Sequence, residues 1–558
     1  MSLSFIFLFA QSLIKSGFFN NVNLFYTCFV IVIVALITYS ELPLYKEWGI
    51  KLHYKAISYL SQPSEVFSST KTNVVVWVIL GTIIQSLLFI VLYLKLIYEK
   101  NIPTKRNFII SALYLLITPF ILGIGLRGGL QQIPIDQSDV YFSKNNSANL
   151  AAVNSVWNLG HSIEQNKFYM NHNPYILYPS SKAEKTVDSL YRIPSDTTIE
   201  ILTTKKPNIV LIILESWSAD LVAALGGEQG ITPNFDNLAK SGLLFTNCFA
   251  SGDRSDQGMA ALLSAYPAQP TTSIIKQPNK FQQLPCILNE LKKKRYHSSF
   301  LFGGQLSYGN IKGYIYFNGF ERIIEGKDLS GDLPMGKLGV HDEYIFNRFL
   351  DDIDKEDTPF FSTVFTLSSH SPYDQPIKEK LHWGDNERQY INSAYYTDSC
   401  LGDFFNKAKN KSWYSNTLFL LVADHSHNSY RNHNFFTPEY RKIPMLFYGD
   451  VLKTEFRGYI YNKICSQTDF PATLLSQLNL NHSEFRWSKN LFNPNVPVFA
   501  YYSFVDGMGW IKPDGYFVYQ KEADKIIFSK FKDENHQKQL IREGRSYLQV
   551  LFQEYLNY

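Results

Sequence analysis

The residues in this sequence that are best suited to chemistry stand directly after apolar runs. Glu215 follows the run Asn208–Leu214, and Asp424 and His425 follow the run Thr417–Ala423. Two carboxylates and one imidazole are ligands that suit a borderline-hard divalent ion such as manganese or zinc. Together they predict a site for one such ion, with magnesium as a third candidate.

A hydroxyl beside such an ion could act as a nucleophile, because a bound metal lowers the pKa of the hydroxyl. The segment Ala250–Pro270 offers one. Gly252 and Asp253 predict a turn, and Ser255 or Asp256 then begins a helix. The start of a helix favours negative charge, so Ser255 is placed to act as an alkoxide beside a phosphate. The alternative is that Ser255 and Asp256 only cap the helix.

The elements that must position these residues are buried strands of an α/β domain. The runs Asn208–Leu214, Phe360–Leu367 and Thr417–Ala423 are short, apolar and separated by helical patterns, which is typical of parallel strands. In open α/β sheets the ligand crevice lies beyond the carboxyl ends of the strands. His370 follows the second run, and we therefore expect it at the same edge as the predicted metal ligands.

The composition argues for a membrane-embedded part and against a nucleic-acid partner. Aromatic residues make up 15% of the chain and charged residues only 18%, a skew that suits membrane proteins. The net charge of +4 is small for 558 residues, and no basic stripe with interleaved aromatic residues is present.

None of the five cysteines forms a Cys-x-x-Cys pair, which argues against a zinc knuckle or a thioredoxin-like site. The four cysteines other than Cys28 could form disulfides in an oxidising compartment or remain free thiols.

Three uncharged apolar segments approach the roughly 20 residues that cross a bilayer. They are Leu24–Ser40, Val74–Leu94 and Phe108–Gly125. The alternative for each is a buried core helix. The segment Leu3–Ile14 is shorter and is either a fourth span or the remnant of one.

Positive charge near the spans predicts the orientation of the chain. The short loop Lys95–Asn107 holds four Lys or Arg residues and is therefore expected in the cytoplasm. The next span then places everything beyond Leu126 outside. We predict a transmembrane anchor of three to four helices over residues 1–126, an extracytoplasmic linker with helix over 127–204, and a catalytic α/β domain over 205–558.

Five segments, in this order, resemble the alkaline phosphatase and sulfatase superfamily: "NIVLIILES", "GDRSDQGM", "TLSSHSPY", "VADHSH" and "CSQTDFPATLL". The branch that they resemble most is the membrane-anchored one that includes lipoteichoic acid synthase and lipid A phosphoethanolamine transferases. The likeness extends over about residues 208–478. It implies an alkaline-phosphatase-like sandwich with a central, mostly parallel sheet, preceded by an N-terminal transmembrane helical domain.

The resemblance also implies roles for individual residues. It places metal ligation on four of them: Glu215, Ser255, Asp424 and His425. Ser255 is in addition the implied nucleophile, and His370 and His433 are implied to contact the substrate phosphate. His427 matches no role in the family, and we expect it to support the site from outside the ligand set or to be solvated.

Two departures from the family pattern bear on function. The nucleophile of this branch is usually Thr, whereas here it is Ser255, which keeps the hydroxyl. The segment Gly303–Phe320 resembles the region that holds a Trp-Asn-Arg triplet in lipoteichoic acid synthase. Asn310 matches the Asn as a substrate-binding residue, but no Arg follows it, which leaves the headgroup open.

The x-Pro-x-Arg sequence that sulfatases proper require after their nucleophile is missing after Ser255, so sulfate ester hydrolysis is not expected.

The residues and the resemblance together predict a metal-dependent transferase in the bacterial cytoplasmic membrane, multi-pass, with its catalytic domain outside. Ser255 would take phosphoglycerol or phosphoethanolamine from a phospholipid donor and pass it to a cell-envelope glycan or lipid. One alternative is a membrane-anchored phosphodiesterase or phosphatase, or a sulfatase-fold hydrolase of other esters. Another is a non-catalytic binding protein on the same fold, and the retention of all four implied ligands argues against it.

Overall fold

The structure, a computed structural model, divides the chain into two compact units. It describes residues 2–14, 17–48, 51–54, 72–98, 108–131, 134–143, 146–166, 172–329, 331, 333–521 and 523–558. The two units span residues 1–170 and 171–558. The domain boundaries that the sequence predicts, after residues 126 and 204, fall inside these units and stay predictions.

The N-terminal unit is helical. Its helices are α1 (Ser2–Leu13), α2 (Gly17–Trp48), α3 (Thr72–Leu96), α4 (Phe108–Arg127), α5 (Asn146–Ala152) and α6 (Ser155–Asn166). Among the described residues, Gly17–Tyr45 and Asn73–Leu96 are long and apolar enough to cross a membrane, and Ser111–Arg127 is apolar but shorter. In the most apolar window of each long stretch, only 11% of the first and 17% of the second is buried. A core helix of a soluble protein is mostly buried.

Each predicted span lies inside one of these helices, and Leu3–Ile14 overlaps α1. The number of membrane crossings and the orientation of the chain stay predictions. Residues 99–107, which hold three of the four positive charges in the predicted cytoplasmic loop, lie outside the described residues.

A central sheet organises the C-terminal unit. Its strands are β1 (Asn208–Leu214), β2 (Leu243–Phe249), β3 (His297–Phe302), β4 (Arg322–Ile324), β5 (Phe360–Phe365), β6 (Thr417–Ala423), β7 (Lys442–Tyr448), β8 (Ile460–Tyr461) and β9 (Cys465–Ser466). Across the sheet the order is β4-β3-β5-β1-β6-β7-β2-β8, with β9 beside β2. Every neighbouring pair is parallel except the two pairs that involve β7. The predicted α/β fold with a mostly parallel central sheet is therefore confirmed.

The three predicted strands are neighbours within this sheet. β1 lies between β5 and β6, with Leu211 aligned with Thr363 on one side and with Leu420 on the other. All residues of the three strands are buried. Each large apolar side chain buried there contributes roughly 1.5–3 kcal/mol to folding. The carboxyl ends of the strands therefore lie side by side at one edge of the sheet.

Helices connect the strands and precede the sheet. They are α7 (Ser180–Tyr191), α8 (Pro233–Ala239), α9 (Ser255–Ser264), α10 (Pro278–Phe281), α11 (Ile287–Lys293), α12 (Ile311–Asn318), α13 (Asp342–Ile353), α14 (Arg388–Ala408), α15 (Pro438–Arg441) and α16 (Phe470–Gln477). The helix predicted to begin at Ser255 or Asp256 is α9, and it begins at Ser255.

A second, antiparallel sheet follows the central one. Its strands are β10 (Ala500–Phe504), β11 (Gly507–Lys512), β12 (Gly515–Gln520) and β13 (Lys525–Phe531), and the helix α17 (Glu534–Asn557) comes after them. The strands pair in chain order. Tyr502 and Val518 of this sheet pack with Phe249 at the end of β2 in one apolar cluster. The small sheet therefore supports the strand that leads toward Ser255.

Candidate active site

Glu215 is held at the carboxyl end of β1 by hydrogen bonds to its main chain. Its N–H donates to Thr366 Oγ1 at 2.9 Å, and its carbonyl oxygen accepts from Ser369 Oγ at 2.6 Å. Thr366 and Ser369 both follow β5, the neighbouring strand. The Glu215 side chain is buried, so its carboxylate is fixed within the sheet edge and not in a mobile loop.

Asp424 and His425 are held in the same way at the end of β6. The strands pair up to Leu214 with Ala423, so Glu215 and Asp424 start from adjacent positions. Gln467 Nε2 donates to the carbonyl oxygens of Ala423 and Asp424, at 2.8 and 2.7 Å. These contacts fix the main chain from which the second carboxylate and the imidazole project.

The imidazole of His425 presents one nitrogen to the two carboxylates. Its Nδ1 lies 2.9 Å from the carbonyl oxygen of Ser426, which accounts for the proton on that nitrogen. Its Nε2 lies 3.8 Å from Glu215 Oε1 and 3.5 Å from Asp424 Oδ2. A ligating histidine is usually oriented by such a bond from its other nitrogen.

This donor set fits a divalent cation. Glu215, Asp424 and His425 each offer a ligand atom, and these atoms lie within 4.8 Å of one another. Asp424 Oδ2 is buried and has no hydrogen-bond partner among the described residues. Burial, and then the charge of Asp424, raise the pKa of Glu215 to about 8. Burial opposes protonation of His425, but the two carboxylates raise its pKa above the usual value. The negative charge of the two carboxylates is therefore only partly balanced by the protein, and a bound cation would balance it.

Ser255 is the first residue of α9 and faces this group. Its Oγ donates to Glu215 Oε2 at 3.4 Å. Gly258, one turn into the helix, lies so close to β6 that a Cβ there would collide with the carbonyl oxygen of Asp424. The helix therefore packs directly on the end of β6, with its N-terminal N–H groups and dipole at the site.

The turn before Ser255 is held by Arg441, a buried residue that the sequence analysis did not single out. Its guanidinium donates to the carbonyl oxygens of Gly252 and Phe435, at 3.5 and 3.2 Å, and lies 3.9 Å from Asp253 Oδ2. Arg441 is far from Ser255 in the sequence, and no local pattern marks it as part of the site. It positions the turn that delivers the hydroxyl.

Ser216 was also missed, and it contacts every member of the candidate metal group. Its N–H donates to Asp424 Oδ1 at 2.8 Å, and its Oγ donates to Glu215 Oε1 at 2.6 Å. The same Oγ lies 3.4 Å from His425 Nε2. Its φ of 59° is left-handed, a conformation that non-glycine residues adopt rarely and often at functional sites. The only signal in the sequence was its position next to Glu215.

His433 and His370 lie outside the group of three close ligands. His433 Nε2 lies 3.2 Å from Asp220 Oδ2, and Arg431 donates to Asp220 Oδ1 at 3.2 Å. Asp220 was not predicted and orients the loop that follows His425. His370 is exposed, with Nδ1 2.6 Å from the carbonyl oxygen of Ser371. Their predicted contacts with a substrate phosphate stay predictions.

His427 is partly buried beside aromatic rings. Its Nε2 lies 3.2 Å from the Tyr373 hydroxyl, and its ring centroid lies 4.7 Å from that of Tyr390. Tyr390 in turn donates its hydroxyl to the carbonyl oxygen of Ser216 at 2.6 Å. His427 thus contacts Tyr390, which in turn contacts Ser216. Support of the site from outside the ligand set, one of the two expectations for His427, stays a prediction.

Asn310 lies near the start of α9. It is buried, its φ is 60°, and its Nδ2 donates to the carbonyl oxygen of Ile275 at 2.8 Å. The preceding Gly309 faces the side chain of Asp256, the second residue of α9. Asn310 is therefore close to the start of α9, and its contact with a headgroup stays a prediction.

The fold and the strand-end site define the class of protein. Residues 207–480 match the Sulfatase family model. A protein in the alkaline phosphatase superfamily from Vibrio parahaemolyticus has the same fold, with a TM-score of 0.59 and 27% identity, over 69% of this chain and 97% of that one. Residues 207–480 are thus a sulfatase-like domain, and the fold is alkaline-phosphatase-like, as the resemblance implies.

Within this class, the chain is similar to lipoteichoic acid synthases. It is 29% identical to the lipoteichoic acid synthase of Staphylococcus aureus over 294 residues, which are 49% of this chain and 45% of the relative. The chain thus matches about half the length of that relative. The lipoteichoic acid synthase of Listeria monocytogenes shares the fold, with a TM-score of 0.54 and 16% identity, over 67% of this chain and 98% of that one.

Proposed function

We propose that this protein is a metal-dependent transferase that moves a phospholipid headgroup phosphate to an acceptor outside the cytoplasm. The observation that carries the proposal is the hydroxyl of Ser255 at a helix N-terminus, 3.4 Å from a carboxylate of the candidate metal group. A nucleophile, a ligand set and an N-terminal dipole converge there. That combination suits attack on a phosphodiester, because negative charge develops on the phosphate oxygens in the transition state.

Four residues would hold one divalent ion, manganese or zinc, with magnesium as a third candidate: Glu215, Ser255, Asp424 and His425. A bound ion of this kind lowers the pKa of a hydroxyl that it contacts. Glu215 orients the Ser255 hydroxyl through the hydrogen bond to Oε2. Ser216 bridges the ligands, and Arg441 holds the turn from which Ser255 projects.

Two substitutions at phosphorus make up the reaction. In the first, Ser255 Oγ bonds to phosphorus and loses its proton, while the bond from phosphorus to the diacylglycerol oxygen breaks and that oxygen gains a proton. In the second, the oxygen of an acceptor hydroxyl bonds to the same phosphorus and loses its proton, while the bond from phosphorus to Ser255 Oγ breaks and that oxygen regains a proton. His370 and His433 would hold phosphate oxygens, and Asn310 would contact the headgroup. Asp220 fixes the ring of His433.

The donor, the acceptor and the location belong to the same proposal. Two apolar stretches, Gly17–Tyr45 and Asn73–Leu96, would hold the chain at the bacterial cytoplasmic membrane, with the catalytic unit outside. A tethered site meets bilayer lipid at high effective concentration, which favours phosphatidylglycerol or phosphatidylethanolamine as donor. The similarity to lipoteichoic acid synthase supports a cell-envelope glycan or lipid as acceptor.

A labelled-lipid assay tests this function. The full chain in detergent, with manganese or zinc, is given phosphatidylglycerol or phosphatidylethanolamine labelled in the diacylglycerol part. We expect labelled diacylglycerol, and mass spectrometry should find the headgroup phosphate on the peptide that contains Ser255. Ser255→Ala should abolish both signals, because the covalent intermediate then cannot form.

Ser399→Ala is the matched control, since this serine is exposed on α14 and its Oγ contacts only the carbonyl oxygen of Tyr395 among the described residues. It should keep full activity. If the wild type released no diacylglycerol from either lipid but cleaved soluble phosphodiesters or other esters rapidly, a hydrolase with water as acceptor would replace the transferase.

A further inference from the structure

Two cysteines of the C-terminal unit lie side by side on neighbouring strands. Cys248 of β2 is aligned with Cys465 of β9 in a parallel pairing. Neighbouring strands lie about 4.7–4.9 Å apart, and the Cα atoms of a disulfide lie about 4.4–6.8 Å apart. The register therefore places these two residues at a separation that a disulfide can bridge.

The immediate surroundings of the two thiols are consistent with that geometry. Both residues are 0% exposed. Cys465 Sγ lies 3.6 Å from the carbonyl oxygen of Asn247, the neighbour of Cys248 on β2. Burial raises the pKa of the Cys465 thiol, and a hydrogen bond with the Cys248 side chain raises it further. The two sulfur atoms thus share one buried space, in which each is the other's neighbour.

The remaining cysteines stand on other elements. Cys286 precedes α11, Cys400 lies inside α14, and Cys28 lies in α2 of the other unit. All five are free thiols in the structure. Among the strand pairings that the structure describes, Cys248 with Cys465 is the one that aligns two cysteines.

We propose that Cys248 and Cys465 form a structural disulfide when the catalytic unit folds outside the cytoplasm, an inference that rests on the proposed location. The oxidant is a protein or small-molecule disulfide. One cysteine thiolate attacks it and displaces a thiolate, and the second cysteine thiolate then breaks the mixed disulfide. One S–S bond forms in this chain, and the donor disulfide is reduced to two thiols, which take up the two protons that the cysteines lose.

Burial of both sulfur atoms sets the order of events. A thiol that is 0% exposed and whose pKa is raised reacts slowly with a disulfide in solution. The exchange therefore precedes the docking of β9, which is only two residues long and pairs with β2 alone. Once formed, the bond is shielded from reductants in the same way.

The disulfide would hold an edge strand that supports the candidate active site. Ser466 and Gln467 follow Cys465 directly, and Gln467 donates hydrogen bonds to the carbonyl oxygens of Ala423 and Asp424. On the other strand, Cys248 stands seven residues before Ser255. The bond would thus join the segment that fixes Asp424 to the segment that leads to the nucleophile.

Peptide mapping of the wild type tests the bond without any variant. The full chain is isolated from bacterial membranes without reductant, and free thiols are alkylated at lysis and again after denaturation. We expect a linked peptide pair containing Cys248 and Cys465, with the other three cysteines alkylated. Alkylated Cys248 and Cys465, or a link from either to a different cysteine, would overturn the proposal.

Thermal unfolding gives a second readout. Dithiothreitol reaches the shielded bond only as the unit opens on heating, and it should then lower the Tm of the wild type by roughly 5 °C, since a native disulfide that closes a long loop is stabilising. It should not change the Tm of the double variant Cys248→Ala/Cys465→Ala. Cys286→Ala, a buried cysteine without a cysteine neighbour in register, should keep the response. An equal response in the double variant would contradict the bond. Diacylglycerol release by the double variant would show that the proposed function stands apart from the disulfide.

Discussion

At the scale of single residues, Asp424 carries the strongest argument for a bound cation. Its Oδ1 accepts hydrogen bonds from the N–H groups of Ser216 and His425, both at 2.8 Å. Its Oδ2 is buried and has no hydrogen-bond donor among the described residues. A buried carboxylate oxygen that accepts no hydrogen bond is destabilising. The residue is therefore tied to the protein through one oxygen and offers the other to a ligand.

Asp424→Asn should weaken metal binding and stabilise the metal-free protein at the same time. The amide keeps an oxygen for the two N–H donors, but it removes the charge that a cation needs. We expect manganese or zinc affinity to fall by at least about 100-fold, because loss even of residues around the ligands lowers metal affinity about 10- to 100-fold. Calorimetric titration measures the affinity, and thermal unfolding in chelator should give a Tm at or above that of the wild type.

Asp403→Asn is the control for Asp424→Asn, because that carboxylate is exposed on α14 and pairs with Lys407. It should leave the metal affinity unchanged. His425→Ala should lose most of the bound metal as well. Wild-type metal affinity in Asp424→Asn or His425→Ala would show that the ligand assignment is wrong.

Two variants of Ser216 separate the effect of its hydroxyl from the effect of its backbone strain. Ser216→Gly and Ser216→Ala both lose the bond to Glu215 Oε1, so both should bind metal about 10- to 100-fold more weakly. They should differ in stability, because the left-handed φ of 59° suits glycine and strains alanine by about 1 kcal/mol. Denaturant unfolding in chelator measures that difference. Equal stability of the two variants would mean that the strain is absent.

Three of the candidate ligands, Glu215, Asp424 and His425, could be singled out from the sequence because they stand at the ends of buried strands. Glu215 and Asp424 are marked by the abrupt end of an apolar run, and parallel strands bring such ends together. Ser216, Asp220 and Arg441 carry no such mark. Ser216 depends on a left-handed backbone angle, Asp220 on a loop that comes back to the end of β1, and Arg441 on a guanidinium that reaches a turn far away in the sequence. These features are set by the tertiary structure and not by a local sequence pattern.

At the scale of elements, the approach of α9 to β6 sets the distance between Ser255 and the candidate metal ligands. Gly258 permits that approach, since the carbonyl oxygen of Asp424 occupies the place of a Cβ. Gly258→Ala should therefore push α9 from the strand end. We expect a loss of about 1–3 kcal/mol in the free energy of unfolding, as for other overpacked sites, together with weaker metal binding. Denaturant unfolding and calorimetry measure the two effects.

Gly160→Ala is the matched control for Gly258→Ala, because Gly160 also lies inside a helix but has no atom within 4 Å of an added Cβ. Alanine there should be neutral or slightly stabilising, by up to about 1 kcal/mol. If Gly258→Ala behaved like this control, the close packing of α9 on β6 would be contradicted.

Long, buried elements were easier to predict than the rest. Strands β1, β5 and β6 are uninterrupted apolar runs, and the predicted second run extends two residues past the observed end at Phe365. The antiparallel strands β10–β13 were not predicted. They are only five to seven residues long and include small or polar residues, such as Gly509 and Ser503, and their turns are short. Such strands are defined by pairing with one another, which a local pattern does not reveal.

At the scale of the whole molecule, the chain joins a helical unit, rich in exposed apolar side chains, to an α/β unit that carries the candidate site. In a membrane-held protein the side on which the catalytic unit lies decides which lipid leaflet and which acceptors it meets. The positive loop at residues 95–107 is the feature that predicts that side.

Reporter fusions test the orientation. A phosphatase reporter, which is active only outside the cytoplasm, should be active when fused after Tyr141 and inactive when fused near Asn101, a residue outside the described part of the chain. The physical reason is that Lys and Arg next to spans resist translocation, so the loop that holds Lys95, Lys100 and Lys105 stays inside. A fluorescent protein that folds only in the cytoplasm should give the opposite pattern at the two sites.

Replacing the basic residues of this loop by Gln should weaken the asymmetry, whereas replacing exposed lysines of the catalytic unit should not. An inactive phosphatase after Tyr141 would place the catalytic unit in the cytoplasm. Transfer to an outer acceptor would then be excluded, even if Ser255 still formed a covalent intermediate.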